Sequence, residues 1–191
     1  MRERARFAPS PTGPLHIGGV RTALFNYLIA KKNGGDFILR IEDTDSKRTV
    51  VGAEEHIKDS LKWLGLKFDE GPIKQSERKS LYKKRADELI KNGLAYYAFD
   101  SSTELEGARK ESNGEFKYNY ETRKNMINSF TVSEEEVKNR VNRGDYVIRM
   151  VIPEKETITV NDEIRGSLSF NSNEIEDKVI MKSDGMPTYH F

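Results

Sequence analysis

The sequence predicts an α/β fold that opens on a parallel sheet and gives way to a mixed α+β region. Three observations carry this. A strand, loop, helix and strand follow one another within about 40 residues, the span of a βαβ unit. A Pro/Gly-rich loop stands at the first strand-to-helix turn, with Pro9, Pro11, Gly13 and Pro14 close together. After Gly144 the apolar period changes from that of a helix to the period of two that marks strands.

In order along the chain, Arg4 to Ala8 reads as a short strand whose apolar part is Phe7 and Ala8. From Ile17 the pattern is helical, with Val20, Ala23, Leu24, Tyr27 and Leu28 expected on the core face, and Asn33-Gly34-Gly35 as the stop. Phe37 to Ile41 is the second strand, with the acidic run Glu42 to Asp45 at its carboxyl end. Gly52 to Leu64 is expected as an amphipathic helix burying Ile57, Leu61 and Leu64, ended by Gly65. Asp69 to Pro72 reads as a loop, and Ser76 to Asn92 as a further helix capped by Gly93. Ser101 to Tyr120 is polar and reads partly as loop. Ser133 and Glu136 form a capping box for a helix reaching Arg143. Strands are expected over 146–152, 157–160 and 168–170.

Composition excludes several classes. The 191 residues are 36% hydrophobic and 33% charged, a balance suited to a globular core rather than wholesale disorder. No run approaches the roughly 18 to 20 apolar residues of a membrane-spanning helix, and the charged, proline-rich start lacks a secretory signal's apolar stretch. A cytoplasmic protein with no membrane partner is the economical reading. The chain has no cysteine, which excludes disulfides and cysteine-ligated zinc, and His16, His56 and His190 are too widely spaced to read as a metal cluster. Residues 1–100 carry 19 Lys+Arg against 14 Asp+Glu, whereas residues 101–191 carry 13 against 17. Any RNA contact must therefore come from a local patch rather than bulk charge.

The segment from Pro9 to Gly19, PSPTGPLHIGG, sits where the first strand gives way to the first helix. In open α/β sheets ligands bind there, and a helix amino terminus suits phosphate. His16 can donate to a phosphate oxygen, and Gly18 and Gly19 permit close approach. The four residues HIGG alone also fit an ordinary turn carrying an incidental histidine.

The longer string is more specific. RFAPSPTGPLHIGG, then RTALFNYLIAKKNGG and FILRIEDTD, resembles the opening of class I aminoacyl-tRNA synthetases, and within them the glutamyl type of bacteria. The resemblance continues through GAEEHIKDSLKWLGLKFDEGP, QSER, LIKNGLAYYAF and DEIRG to KSDGMPTYHF, covering essentially the whole chain. HIGG departs at its fourth position, Gly19, from the histidine of the usual signature. The resemblance implies the first half of a Rossmann-like nucleotide-binding fold (1–78), an inserted α+β domain that handles the tRNA acceptor end (79–180), and a return into the catalytic domain (181–191).

It further implies a glutamate–tRNA ligase using ATP with Mg2+ as substrate and no zinc, since AYYAFD lacks the cysteines that bind zinc in some relatives. The partners implied are L-glutamate, tRNA(Glu), with tRNA(Gln) as a second candidate, and a monomeric state by default. By position, Arg6, Ala8, Ser10, Glu42 and Tyr189 match residues that hold glutamate. Arg6 would take the side-chain carboxylate; Ser10 and Glu42 would take the α-ammonium. His16, the catalytic candidate, with Gly18 and Gly19 would serve ATP. Asp43, Asp45 and Arg165 are candidates for tRNA contact, although turn formation or capping explains the same residues.

Two other readings stand beside this one: a paralogue that glutamylates a modified base in tRNA, which usually has cysteine zinc ligands, and a non-catalytic nucleotide- or RNA-binding module derived from a synthetase. The lysine-rich second signature and a second carboxylate-binding arginine are expected beyond residue 191. The segment between DEGP and QSER is shorter than the family pattern. Residues 1–191 alone are therefore expected to show negligible aminoacylation.

Overall fold

The computed structural model describes residues 2–45 and 47–191. Its contacts divide the chain into two compact units, Met1–Lys79 and Ser80–Phe191.

The first unit is built from β1 (Arg4–Phe7), α1 (Ile17–Lys32), β2 (Asp36–Ile41), α2 (Ala53–Trp63) and β3 (Glu70–Lys74). The three strands pair in the order β1-β2-β3, all parallel. Strand alternation sends Phe7, Phe37, Leu39 and Ile41 to one face, where they form a core with Ala23 and Ala30 of α1 and Ile57 and Leu61 of α2. Both helices cover this one face. Arg4, Arg6, Ile38 and Arg40 occupy the other, by register with the buried set.

The strand expected at residues 37–41 is present. The loop expected at Asp69 to Pro72 is instead the start of β3, an edge strand, where a proline costs no ladder bond on its open side. Gly71 is required there: its φ is +108°, and a Cβ would lie 2.2 Å from the Leu39 carbonyl oxygen. Gly35 is similarly confined, its Cβ position lying 2.2 Å from the Glu3 carbonyl oxygen where β2 sets off beside β1.

The core face of α1 is narrower than its periodicity suggests. Ala23 and Ala30 are fully buried and Tyr27 meets Phe37 edge-on, but Leu24 and Leu28 are exposed along with Phe25 and Ile29. Apolar residues run all round this helix, so their spacing does not single out one face. Leu64 is also exposed. The chain leaves α2 through a reversal in which the Leu66 amide donates to the Leu61 carbonyl and the Gly65 amide to that of Lys62, so Leu66 enters the core instead.

The second unit begins with α3 (Lys79–Lys91), whose first residue still belongs to the first. It continues with β4 (Ala95–Ala98), α4 (Ser102–Glu111), α5 (Glu134–Arg143), β5 (Val147–Met150), β6 (Thr157–Asp162), β7 (Gly166–Asn171) and β8 (Val179–Met181). An antiparallel sheet of order β4-β5-β8 packs Ala95, Ile148, Ile180 and Met181 against Ala86 of α3. The opposite face of β4, Tyr96 and Ala98, meets Tyr118. The helix α4 replaces part of the expected loop. Ser101 and Glu104 form a reciprocal capping box at its start. At α5, Ser133 caps the Glu136 amide, while the Glu136 carboxylate turns to Arg140.

Candidate active site

The carboxyl end of β1 runs into the Pro9–Leu15 loop, which backbone bonds tie to the segment after β2. The Glu42 amide donates to the Pro9 carbonyl (2.9 Å) and the Val50 amide to that of Pro11 (2.9 Å). The loop roofs a cleft of about 500 Å³, lined by Phe7, Pro9, Ser10, Thr12, His16, Gly19 and Ile57 among others.

His16 is the N-cap of α1. Its Nδ1 accepts the Gly18 amide at 3.2 Å, which leaves Nε2 to carry the ring proton and donate outward. The other first-turn amides have no acceptor within the helix and form the positive end of its dipole. The two glycines have a reason beyond ligand access: a Cβ on Gly18 would come within 2.9 Å of the His16 ring, and one on Gly19 within 2.7 Å of Leu15 Cδ1. They keep the imidazole on its cap and Leu15 in place.

Ser10, His16 and Gly19 thus line one cleft, with Gly18 directly under the imidazole. Glu42 is joined to the same loop through Pro9. Ala8 is the half-buried residue that follows β1. Arg6 projects from the outer face of the sheet, exposed, with no ion-pair partner among the described residues.

Glu42 does not stand free. Its carboxylate accepts from the Arg40 guanidinium, and both side chains are largely withdrawn from solvent, at 22% exposure for Arg40 and 27% for Glu42. Arg40 escapes a reading of the sequence because it sits inside the apolar run FILRI. The alternation of that run, which sends Phe37, Leu39 and Ile41 inward, puts Arg40 on the Arg6 side and is the signal that could have found it.

The acidic residues after Glu42 have local partners. Asp43 accepts from the Ser76 amide (2.8 Å) and hydroxyl (2.5 Å), tying the exit of β2 to the turn after β3. Asp45 accepts from Arg48 at 2.7 Å, and this bond holds its carboxyl below the usual range.

In the second unit, Arg165 is exposed at the tip of the β6–β7 hairpin. There Asp162 Oδ1 accepts the Ile164 and Arg165 amides, and Gly166 takes φ +76°. Tyr189 is 86% exposed and stacks on His190, with ring centroids 3.9 Å apart. No group of three or more His, Asp or Glu side chains among the described residues could hold a metal ion, and no helix among them is long and apolar enough to cross a membrane.

A parallel βαβαβ sheet with a capped helix amino terminus and a cleft at its carboxyl edge defines a Rossmann-like α/β domain. The chain belongs to the family of class I tRNA synthetases (E and Q), catalytic domain, whose model matches residues 3–191. It is 57% identical over 192 residues to the glutamate–tRNA ligase of Azobacteroides pseudotrichonymphae, covering 100% of this chain and 39% of that protein. It is also 57% identical over 201 residues to that of Cytophaga hutchinsonii, covering 98% and 39%. A crystal structure of a glutamate tRNA ligase from Elizabethkingia meningosepticum, in complex with its amino acid, superposes with a TM-score of 0.92 at 51% identity, covering 100% of this chain and 40% of that one. The glutamate-tRNA synthetase of Elizabethkingia anophelis gives 0.91 at 51% identity, covering 100% and 41%. The chain therefore spans about two fifths of the length of the relatives it matches.

Proposed function

We propose that this chain is part of a cytoplasmic glutamate–tRNA ligase and carries the glutamate- and ATP-binding half of its active site. The single observation that carries this is the identity of more than half its residues to proteins named for that activity, over the whole chain. The first unit supplies a capped helix amino terminus and a cleft beside it, which suit a phosphate group.

In the proposed reaction an oxygen of the glutamate α-carboxylate attacks the α-phosphorus of ATP. The bond to pyrophosphate breaks, and glutamyl-adenylate forms. A ribose hydroxyl at the tRNA 3′ end then attacks the acyl carbon and AMP leaves. Neither step needs a covalent enzyme intermediate, so positioning and charge stabilisation dominate. His16, presenting Nε2 from the start of α1, donates to an ATP phosphate oxygen beside the helix dipole, and ATP brings Mg2+ with it.

Arg6 clamps the substrate's side-chain carboxylate with its planar fork. Ser10 and Glu42 receive the α-ammonium, and the backbone at Ala8 borders the same place. By its match to the family pattern, Tyr189 is a further residue for glutamate. Residues 79–180 form the inserted domain that handles the acceptor end of tRNA(Glu), where Arg165 presents a cation from a hairpin tip. Asp43 and Asp45 act first through the turns they fix.

The test is ATP–pyrophosphate exchange by the longest natural form of the protein, with glutamate or glutamine, with and without total tRNA. Exchange with glutamate, dependent on tRNA and absent with glutamine, is expected. No exchange under any condition would leave a non-catalytic RNA-binding module as the better reading.

A further inference from the structure

We infer that Arg40 is a positioning residue for the amino-acid substrate: it fixes the Glu42 carboxylate and supplies the positive charge that balances the site. This rests on the proposal that glutamate binds beside Arg6, Ser10 and Glu42.

Three observations carry it. Arg40 lies on the face of the sheet that bears Arg6, two residues along β2 from Ile38, the β1 partner of Arg6. Its guanidinium donates to Glu42 Oε1, while the Glu42 backbone is held by Pro9, next to Ser10. Arg40 is also costly to place. Its Nε is buried with no hydrogen-bond partner among the described residues, and its cross-strand neighbour on β3 is the apolar Ile73. A half-buried guanidinium whose buried Nε has no partner is not needed to hold a strand whose other face supplies the core.

The chemistry follows from the pair. A carboxylate has two oxygens; with Oε1 occupied by Arg40, Glu42 keeps Oε2 for an ammonium, in a direction set before the substrate arrives. Charge counting points the same way. Glutamate carries one more negative than positive charge. Arg6 and Glu42 alone cancel; adding Arg40 leaves one surplus positive charge to meet the substrate. The partly desolvated setting makes that surplus count for more than it would in water. Removing Arg40 therefore weakens glutamate binding through both orientation and charge, and leaves ATP binding untouched.

The experiment measures glutamate and ATP KM in tRNA-dependent pyrophosphate exchange by the longest natural form, for wild type, Arg40→Gln, Arg40→Lys, Glu42→Gln and the Arg40→Gln/Glu42→Gln double variant. Arg40→Gln is expected to raise the glutamate KM by roughly tenfold or more while the ATP KM stays within about twofold. Arg40→Lys should fall between. The double variant should be no worse than Glu42→Gln alone, the non-additivity of two residues acting as one.

An unchanged glutamate KM, a parallel rise in both KM values, or additive losses would overturn the inference. If Arg40→Gln loses its cooperative melt, Arg40→Lys decides on the same criteria: a selective rise in glutamate KM supports it and an unchanged value overturns it. Wild-type protein silent with glutamate would instead overturn the proposed function, a failure distinct from that of Arg40.

Discussion

Met1–Lys79 encloses Phe37, Leu39, Ile41, Ile57 and Leu61 at 1% exposure or less, and none of its ion pairs among the described residues is fully buried: Arg2 with Asp36 and Lys31 with Asp69 are at the surface, and Arg40 with Glu42 is half-buried. Ser80–Phe191 instead threads polar groups through its interior, with Asp177, Asn128 and Ser172 at zero exposure. Asp177 accepts from Tyr96 (2.7 Å), Arg123 (3.0 Å) and the Ile152 amide (3.1 Å), and its own carbonyl accepts from Arg149. Arg149 in turn stacks on Tyr118 at 3.8 Å. Burial, with the neighbouring Asp177 charge, pushes the Tyr96 hydroxyl far above its ordinary range, so it stays a donor. The first unit is held mainly by apolar volume, whereas the second adds a buried hydrogen-bond network around Asp177 to its apolar clusters, and the two should fail differently.

The largest effect is expected at Asp177. Replacing it with alanine strands Arg123, the Tyr96 hydroxyl and the Ile152 amide, at a cost of about 3–5 kcal/mol. Residue-resolved native-state hydrogen exchange would show the loss in β4 and β5 amides, with those of β1 and β2 unaffected. Equal loss in both units would show that Asp177 does not hold the second unit alone. Leu61→Ala in the first unit should cost about 2–4 kcal/mol through lost burial and a residual cavity, read in the same experiment as weakened β1 and β2 amides.

The Asp43–Ser76 link is a half-buried polar tie within the first unit, joining the exit of β2 to the turn after β3. Asp43→Ala should cost about 1–3 kcal/mol, concentrated at β3, seen as faster exchange at Gln75 and Ser76.

How much of this was legible divides along physical lines. The βαβ opening and the loop carrying Ser10 and His16 were readable because turn chemistry and period are local. β3 was hidden because Gly71-Pro72 reads as a turn, and only pairing with β2 makes it a strand. The helix α4 was missed although its capping box, Ser101 with Glu104, was in plain sight. The contacts that stayed invisible were long-range: Asp43 meets a serine 33 residues away, and Asp177 reaches Tyr96 across 81. Arg40 lay between, local in sequence but masked by its apolar neighbours.

The smallest effect concerns Asp69. Lys31 donates to both its oxygens (2.7 and 2.6 Å) and the Phe37 amide to one (2.8 Å), and together these hold its carboxyl below the ordinary 3.8. A lowered folded-state pKa contributes stability that is present above the unfolded value and is lost as pH falls through the folded one. An NMR titration of the Asp69 carboxyl should give a midpoint below 3.8. Lys31→Met should move it upward without fully restoring the ordinary value, since the Phe37 bond remains. A midpoint at or above 3.8 in the parent would show that this surface pair does not form.

On the proposed function, the outer face of the first sheet receives the substrate carboxylate at Arg6. The most direct measurement is glutamate-dependent, tRNA-dependent ATP–pyrophosphate exchange by the longest natural form carrying Arg6→Ala. Loss of exchange by about a hundredfold or more at subsaturating glutamate, with the ATP KM unchanged, is the predicted result. Exchange as fast as in the parent protein would contradict it.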